Sequence, residues 1–326
     1  MLRVNIIGKS NGVGLDRDVK LLTHALRLCD CEISVTVTGS RQSGWRKSVL
    51  GKTLRWIATR LPRPTPRYDL NVMLEHVWTQ YLNLARVNVL VANPDFTDRH
   101  DVAALPKVDR IWAKTQAAQE IFRNLGCRVT LAGFDSEDRF LDGCLREQTF
   151  FHLAGSSVLK GTAHLLDIWA RHPQWPMLVV AGRLRQVIPV AANIRVIGGY
   201  IEDDQLRKLQ NESLVHVCTS ETEGWGHYLV EGMSVGATVI TLAAPPMNEL
   251  VSDERGILLS CVPAGLHRLA RRYRFDEQAL IDAVNRVSSM PPAELDMLGS
   301  KARQWFLDNK AGFPVRIRTA LQELKF

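Results

Sequence analysis

Residues 215–259 read VHVCTSETEGWGHYLVEGMSVGATVITLAAPPMNELVSDERGILL, and this stretch decides the fold. A short apolar run predicts a buried strand at 215–218, and a polar, glycine-rich loop leads from it to a helix at about 228–235. Gly236 is a natural helix end, and a second apolar strand follows at 238–242. This order predicts two parallel strands joined by a helix. The loop after the first strand then lies at the carboxyl edge, where open α/β sheets bind ligands.

Two acidic residues lie on either side of the predicted helix start. Glu223 is in the loop and Glu231 is in the helix, with seven residues between them. Both carboxylates can therefore face the same crevice. The first N–H groups of the helix lie between them and have no partner within the helix, so they can bind a phosphate.

The same segment resembles the E-x7-E signature of retaining, nucleotide-sugar-dependent glycosyltransferases of the GT-B fold, in the family 4 style. Residues 223–226 read EGWG where that family usually has Glu-Gly-Phe-Gly, and residues 231–236 read EGMSVG for its Glu-Ala-Met-Ala-x-Gly. The chain departs from the family at residues 245–249, which read PPMNE where a Gly-Gly pair often precedes a later Glu. This departure concerns the details of sugar recognition.

The resemblance implies an α/β protein of two Rossmann-like domains facing a central cleft. We expect an acceptor domain at residues 1–148 and a nucleotide-sugar domain at 149–305. A C-terminal helix at 306–326 is expected to cross back to the first domain. Elsewhere the sequence pattern predicts helices at 263–273 and from 292 to about 308.

The implied reaction is transfer of a hexose from a nucleoside-diphosphate sugar to an acceptor hydroxyl, with retention. By the resemblance Glu231 binds the ribose and Glu223 holds sugar hydroxyls, although a nucleophilic role for Glu223 stays open. The nucleotide sugar is a substrate, so no cofactor is implied. No metal is implied either, since no D-x-D pair lies in a loop suited to one. Two alternatives stay open: a GT-B sugar-nucleotide epimerase or phosphorylase, and an enzyme acting on nucleic acid.

A second loop of the C-terminal domain contributes to the predicted site. Lys160 and Gly161 match the Lys-Gly of the family's first loop in that domain, while Ser156 stands where the family has an Arg. The loss of that Arg removes a positive charge from the diphosphate site, and Arg183 or Lys9 is a candidate to replace it.

The N-terminal domain is expected to reach the donor through two features. The chain opens with a strand and a turn containing Gly12 and Gly14, whose spacing is not that of the dinucleotide G-x-G-x-x-G motif. A polar pair, Glu75 and His76, ends another predicted strand, and His76 is the best match to the family's sugar-contacting His. The candidate catalytic residues are thus His76, Lys160 and Glu223, and the candidate donor-binding residues are Gly12, Gly14, Ser156, Gly224, Trp225, Gly226, His227 and Glu231.

The positive charge of the chain is concentrated in one segment. Its net charge is +7, yet residues 41–67 alone hold eight basic residues and no acidic one. Between Trp45 and Leu61 the pattern is that of a basic, partly amphipathic helix. An anionic membrane interface is the first interpretation, a solvated surface helix the second and nucleic acid the third. A lipid-linked glycan or lipopolysaccharide-type acceptor would fit the first.

The composition is that of a globular protein, with 46% hydrophobic and 23% charged residues. No apolar run approaches the roughly 18 residues of a membrane span, and the N-terminus does not resemble a signal peptide. Six cysteines occur without a CxxC pair, so we expect free thiols. We therefore expect a cytoplasmic protein that docks on the inner face of the membrane.

Overall fold

The computed structural model of the protein describes residues 1–9, 14–38, 65–155, 157–184 and 191–326. Three of the sequence predictions concern residues outside these ranges: the donor-binding roles of Gly12 and Ser156, and the membrane-binding segment from Trp45 to Leu61. These three therefore stay predictions.

The first half of the chain is built on a parallel sheet of six strands, in the order β2-β1-β3-β4-β5-β6. Runs of Val, Leu and Ile bury the central strands on both faces, as helices on both sides of a parallel sheet require. The strands are β1 (Leu2–Gly8), β2 (Cys31–Val37), β3 (Tyr68–Leu74), β4 (Ala85–Ala92), β5 (Arg110–Ala113) and β6 (Val129–Leu131), and the helices are α1 (Gly14–Arg27), α2 (Arg99–Ala104) and α3 (Gln116–Asn124).

The second half repeats this plan with a sheet in the order β12-β11-β10-β7-β8-β9, again parallel throughout. Two Rossmann-like halves are thus present, and the predicted α/β fold class is confirmed. The strands are β7 (Glu147–Gly155), β8 (Leu178–Gly182), β9 (Ile194–Gly198), β10 (Ser213–Cys218), β11 (Thr238–Leu242) and β12 (Gly256–Leu259), and the helices are α4 (Thr162–Ala170), α5 (Asp203–Glu212), α6 (His227–Ser234), α7 (Met247–Leu250) and α8 (Glu277–Ser289).

The helix predicted at 263–273 is wrong. This segment is an antiparallel hairpin of β13 (Cys261–His267) and β14 (Ala270–Phe275). Long-range contacts hold it as a hairpin: Tyr273 N donates to Glu221 O at 2.8 Å, and Leu269 N donates to Pro94 O at 3.2 Å in the other half. These tertiary bonds override the helix propensity of its Ala, Leu and Arg residues.

One long helix, α9 (Pro292–Gln322), joins the two halves and replaces the two separate helical segments predicted at its position. It packs against α6 and β11 in the second half and against α1 in the first. Near its end Arg318 Nη2 donates to Leu28 O at 2.8 Å. Among the described residues, no helix combines the length and the apolar character needed to cross a bilayer.

Candidate active site

The loop between β10 and α6 forms the second-half wall of the site, and two of its glycines are needed there. Gly226 precedes α6 with a φ of +91°, a conformation that residues with a side chain rarely adopt. Gly224 packs against the first half, where an added Cβ would lie 2.6 Å from Asn93 Cγ. The EGWG run therefore brings the loop into direct contact with the first half and leaves Glu223 at the junction.

Lys160 and Glu223 form an ion pair in this loop. Lys160 Nζ lies 2.6 Å from Glu223 Oε1, which also accepts a hydrogen bond from Ser220 Oγ at 2.6 Å. The ammonium group lies 3.5 Å from the centre of the Tyr228 ring. Both charged side chains are only 16–18% exposed. The structure thus brings together two of the three predicted catalytic residues, and it adds an aromatic ring beneath the lysine.

The backbone fixes Lys160 beside Glu223. Thr219 Oγ1 donates to Lys160 O at 3.0 Å, and Glu221 N donates to Leu159 O at 2.8 Å. Gly161 makes this approach possible, because a Cβ there would lie 2.4 Å from Thr219 O. Burial raises the pKa of Tyr228 well above its usual value, so the Tyr228 hydroxyl stays neutral and donates to Ser220 Oγ at 2.6 Å.

Glu231 is 1% exposed and has a partner at each carboxylate oxygen. Its Oε1 pairs with Arg17 of helix α1, across the junction between the halves, and its Oε2 accepts from Gln210 Nε2 at 3.0 Å. Arg17 also forms an ion pair with Glu137, with 3.3 Å between Arg17 Nε and Glu137 Oε2. A carboxylate oxygen has two lone pairs, so each oxygen keeps the capacity to accept one further hydrogen bond. Ribose binding by Glu231 stays a prediction.

A second contact between the halves uses His227. Its Nε2 lies 2.7 Å from Asp18 Oδ1, and its Nδ1 lies 2.9 Å from Ser136 Oγ. Trp225 Nε1 donates a hydrogen bond to the same Ser136 oxygen at 3.1 Å. Asp18 pairs on its other side with Lys114 Nζ at 2.6 Å. Burial opposes the charge on Asp18, but Lys114 and His227 outweigh it and lower the Asp18 pKa. Trp225 and His227, predicted to bind the donor, serve in this structure to join the halves.

His76 lies beside the residues that begin helix α2. Its Nδ1 is 2.8 Å from Asp101 Oδ2, and its ring meets that of Trp78 edge to face. The ligand atoms of His76, Asp98 and Asp101 lie within 4.8 Å of one another, a spacing that would suit a metal ion. However, the two carboxylates form the capping box of α2, which explains the cluster without a metal.

Glu249, in the PPMNE departure, also contacts the first half. Its carboxylate accepts hydrogen bonds from Gln116 N at 2.6 Å and from Ala117 N at 2.8 Å. These are N–H groups at the start of helix α3, which have no partner within the helix. Glu249 therefore has a structural role in joining the halves.

Sequence reasoning missed several polar residues at the junction. Lys114 follows β5, and Asn93 and Asp95 follow β4, so all three lie at the carboxyl edge of the first sheet. Their position could have identified them, because polar residues that follow predicted parallel strands lie where open α/β sheets bind ligands. Arg17 and Asp18 lie near the start of helix α1, which begins at Gly14.

Comparison with known families decides the class of this site. Residues 158–305 match the model of the family described as glycosyl transferases group 1. Residues 158–305 therefore resemble a glycosyltransferase group 1 domain. This domain contains Lys160, Glu223 and Glu231, and the prediction that the protein is an enzyme of the glycosyltransferase class is confirmed.

Solved structures show the same two-domain fold over almost the whole chain. HepE from Anabaena, in complex with UDP and glucose, is similar with a TM-score of 0.68 and 16% identity, over 99% of this chain and 100% of that chain. Sucrose-phosphate synthase from Thermosynechococcus elongatus is similar with a TM-score of 0.71 and 13% identity, over 99% of both chains. A glycosyltransferase from Rickettsia africae gives a TM-score of 0.67 at 11% identity, over 99% of both chains. No curated protein matches the sequence. The GT-B fold prediction is confirmed.

Proposed function

We propose that the protein transfers a hexose from a UDP-sugar to an acceptor hydroxyl, with retention of configuration. The observation that carries this proposal is the buried Lys160–Glu223 pair at the start of helix α6, inside the glycosyltransferase group 1 domain. The choice of UDP is supported by the similar structures of HepE, which were solved with UDP and with UDP-glucose.

The proposed chemistry depends mainly on stabilising the leaving group. As the bond between the sugar C1 and the diphosphate oxygen breaks, its electron pair leaves with the diphosphate. The acceptor oxygen forms the new bond to C1, and the acceptor proton passes to the departing diphosphate. In this proposal Lys160 and the N–H groups at the start of α6 meet the added negative charge, and fixed charges and dipoles of this kind are effective in a site sheltered from water. The proposal needs no metal, because the cation is Lys160.

The carboxylates would orient the donor. We propose that Glu223 binds sugar hydroxyls and that Glu231 binds the ribose. His76 would contact the sugar through Nε2, because Asp101 holds its Nδ1.

Replacing Glu231 with glutamine should weaken the binding of UDP and of the UDP-sugar together. A hydrogen bond to a charged group contributes about 1.5–3 kcal/mol, so we expect affinity to fall roughly tenfold or more. Titration calorimetry with UDP measures this directly. Glu137→Gln is the matched control, since it removes the other carboxylate next to Arg17 and leaves Glu231 in place. Unchanged UDP affinity in a folded Glu231→Gln variant would exclude the ribose role.

We further propose that the acceptor is a lipid-linked glycan or lipopolysaccharide-type glycolipid at the inner face of a membrane. The support comes from sequence: eight basic and no acidic residues at 41–67, with Trp45 and Trp56 among them. Each basic residue near an anionic surface contributes about 1 kcal/mol, so several together give reversible binding.

The membrane proposal predicts sedimentation with anionic vesicles and not with neutral ones. Salt should release the protein, because the screening length shortens to about 3 Å at 1 M. A variant with Arg46, Lys47, Lys52 and Arg55 changed to Gln should stay in the supernatant. Equal binding to both vesicle types, or no effect of the four changes, would exclude the proposed surface.

The proposed donor class is tested by thermal unfolding with a panel of nucleotides and nucleotide sugars. A ligand at 100 times its Kd adds about 2.7 kcal/mol to the free energy of unfolding. We expect UDP and UDP-sugars to raise the unfolding temperature more than GDP or ADP and their sugars do. No shift from any of them would contradict the proposal.

A further inference from the structure

The loop that follows β4 is fixed on two sides. Within the loop, Phe96 N and Thr97 N each donate to Asn93 O at 3.0 Å, and Thr97 Oγ1 donates to the same oxygen at 2.9 Å. From the second half, the hairpin of β13 and β14 donates to it through Leu269 N, 3.2 Å from Pro94 O. The loop therefore has little freedom to redirect its side chains.

This fixed loop carries two buried oxygens that lack hydrogen-bond donors. Asn93 and Asp95 are each only 8% exposed, and no described residue donates to Oδ1 of either side chain. A buried polar atom left unpaired costs about 1–3 kcal/mol, so each such atom calls for an explanation, and a ligand that binds there is one. The Asn93 amide oxygen accepts hydrogen bonds, and so does the Asp95 carboxylate when it is ionised, so a partner that supplies O–H or N–H donors would satisfy both.

The two side chains lie beside the candidate catalytic loop. Asn93 packs on Gly224, as described above, and the charge of Glu223 acts on Asp95 across the junction. Burial is the largest influence on Asp95 and, with Glu223 and Glu75, raises its pKa to about 7, although its own backbone N–H and Lys114 act in the opposite direction. The charged groups that face Asp95 are thus Glu223 after β10, Glu75 after β3 and Lys114 after β5.

We propose that Asn93 and Asp95 form the subsite that binds hydroxyl groups of the acceptor glycan. The assignment rests on the proposed function and extends it by naming the residues that bind the acceptor, the second substrate. A sugar presents neighbouring O–H groups that donate to both oxygens. A phosphate or carboxylate would offer no donor and would be repelled by Glu223 and Glu75. The subsite lies on the first half, next to Glu223, which places an acceptor hydroxyl against the donor sugar.

The binding test uses free monosaccharides as probes, added to protein saturated with UDP. Glucose, galactose, mannose and N-acetylglucosamine are titrated against the wild type, Asp95→Asn and Asn93→Ala, with unfolding temperature as the readout. At least one sugar should stabilise the wild type and bind about tenfold or more weakly to both variants. Asp253→Asn is the control for the change in charge. Asp253 is exposed and lies before β12, at the amino ends of the strands, whereas the candidate site lies at their carboxyl ends, so this variant should bind like the wild type. An equal response of the wild type and both variants, including no response, overturns the proposal.

UDP itself separates this proposal from the proposed function. If UDP stabilises the wild type and both variants equally, the donor site is intact and a loss of sugar binding belongs to the subsite. If UDP stabilises none of them, the proposed function fails, and the same sugar titration without UDP still tests the subsite.

A second measurement does not need a bound sugar. Because the Asp95 pKa is raised in the folded protein, the ionised carboxyl destabilises the fold, and this effect grows as pH rises from about 4 to about 7. Asp95→Asn removes it, so the variant should unfold several degrees higher than the wild type at pH 8 and show a smaller gain at pH 5. A lower unfolding temperature at both pH values would mean that Asp95 is already satisfied in the fold, and would overturn the assignment.

Discussion

Replacing Lys160 with alanine is expected to lower the turnover of the UDP-sugar about 10²–10³-fold, with a smaller loss of donor affinity. The range is that of removing one fixed group that stabilises charge developing in the transition state. The structure supports this size because the ammonium is mostly buried against Glu223 and the Tyr228 ring, where water does not replace it. Steady-state kinetics with the UDP-sugar, reported as kcat and KM separately, measure the effect.

The contrast between kcat and KM decides the role of Lys160. A fall in kcat with little change in KM indicates a charge that acts mainly as the diphosphate leaves. A raised KM with unchanged kcat would mean that Lys160 only anchors the donor. Lys208→Ala is the matched control, since Lys208 is 68% exposed on helix α5 and should change neither parameter.

Replacing Asp18 with alanine is expected to destabilise the protein by about 3–5 kcal/mol. Removing one partner of a buried ion pair leaves the other charge unpaired, and Lys114 is only 3% exposed. The change also removes the carboxylate that His227 contacts across the junction. Chemical denaturation followed by tryptophan fluorescence measures the loss.

Two comparisons isolate the buried pair as the cause. Asp167→Ala removes an exposed partner of Arg171 and should cost less than about 1 kcal/mol. Adding Lys114→Met to Asp18→Ala should recover much of the loss, because no unpaired charge then remains. A double variant as unstable as the single one would contradict this explanation.

The same pair gives a pH dependence of known sign. The Asp18 pKa is lowered in the folded protein, so its contribution to stability is present above its unfolded value of about 4 and is lost as pH falls through the lower folded value. The wild type should therefore lose more stability between neutral pH and pH 3 than the Asp18→Ala/Lys114→Met variant does.

The sequence predicts the fold well where one pattern dominates. In residues 215–259 the apolar runs, the glycines and the helix all indicate the same βαβ unit, and the structure has it. The hairpin of β13 and β14 was missed because its residues favour a helix locally, while Glu221 and Pro94 hold it as strands through long-range bonds.

The same distinction holds for the candidate site: contacts set by the strand topology could be predicted, and contacts set by tertiary packing could not. Lys160 and Glu223 lie in two loops that follow parallel strands, so their proximity followed from the topology. Arg17 and Asp18 pair with residues more than 90 positions away: Lys114 reaches Asp18 through the packing of the first half, and Glu231 and His227 reach them through the packing of the two halves. His76 follows β3 and pairs with Asp101 of helix α2, a contact that the strand pattern did not predict, and its role at the donor sugar stays a prediction.

The central claim, sugar transfer from a UDP-sugar at the Lys160–Glu223 site, is tested most directly by a proton NMR time course. UDP-glucose and UDP-N-acetylglucosamine are each incubated with the wild type and with Lys160→Ala, and the anomeric signals are followed. With water as the acceptor, we expect the wild type to release UDP from at least one of them and to leave the free sugar first in the configuration it had in the donor, with a much slower reaction in the variant. Failure to consume either donor, or an altered sugar that stays attached to UDP, would contradict the account.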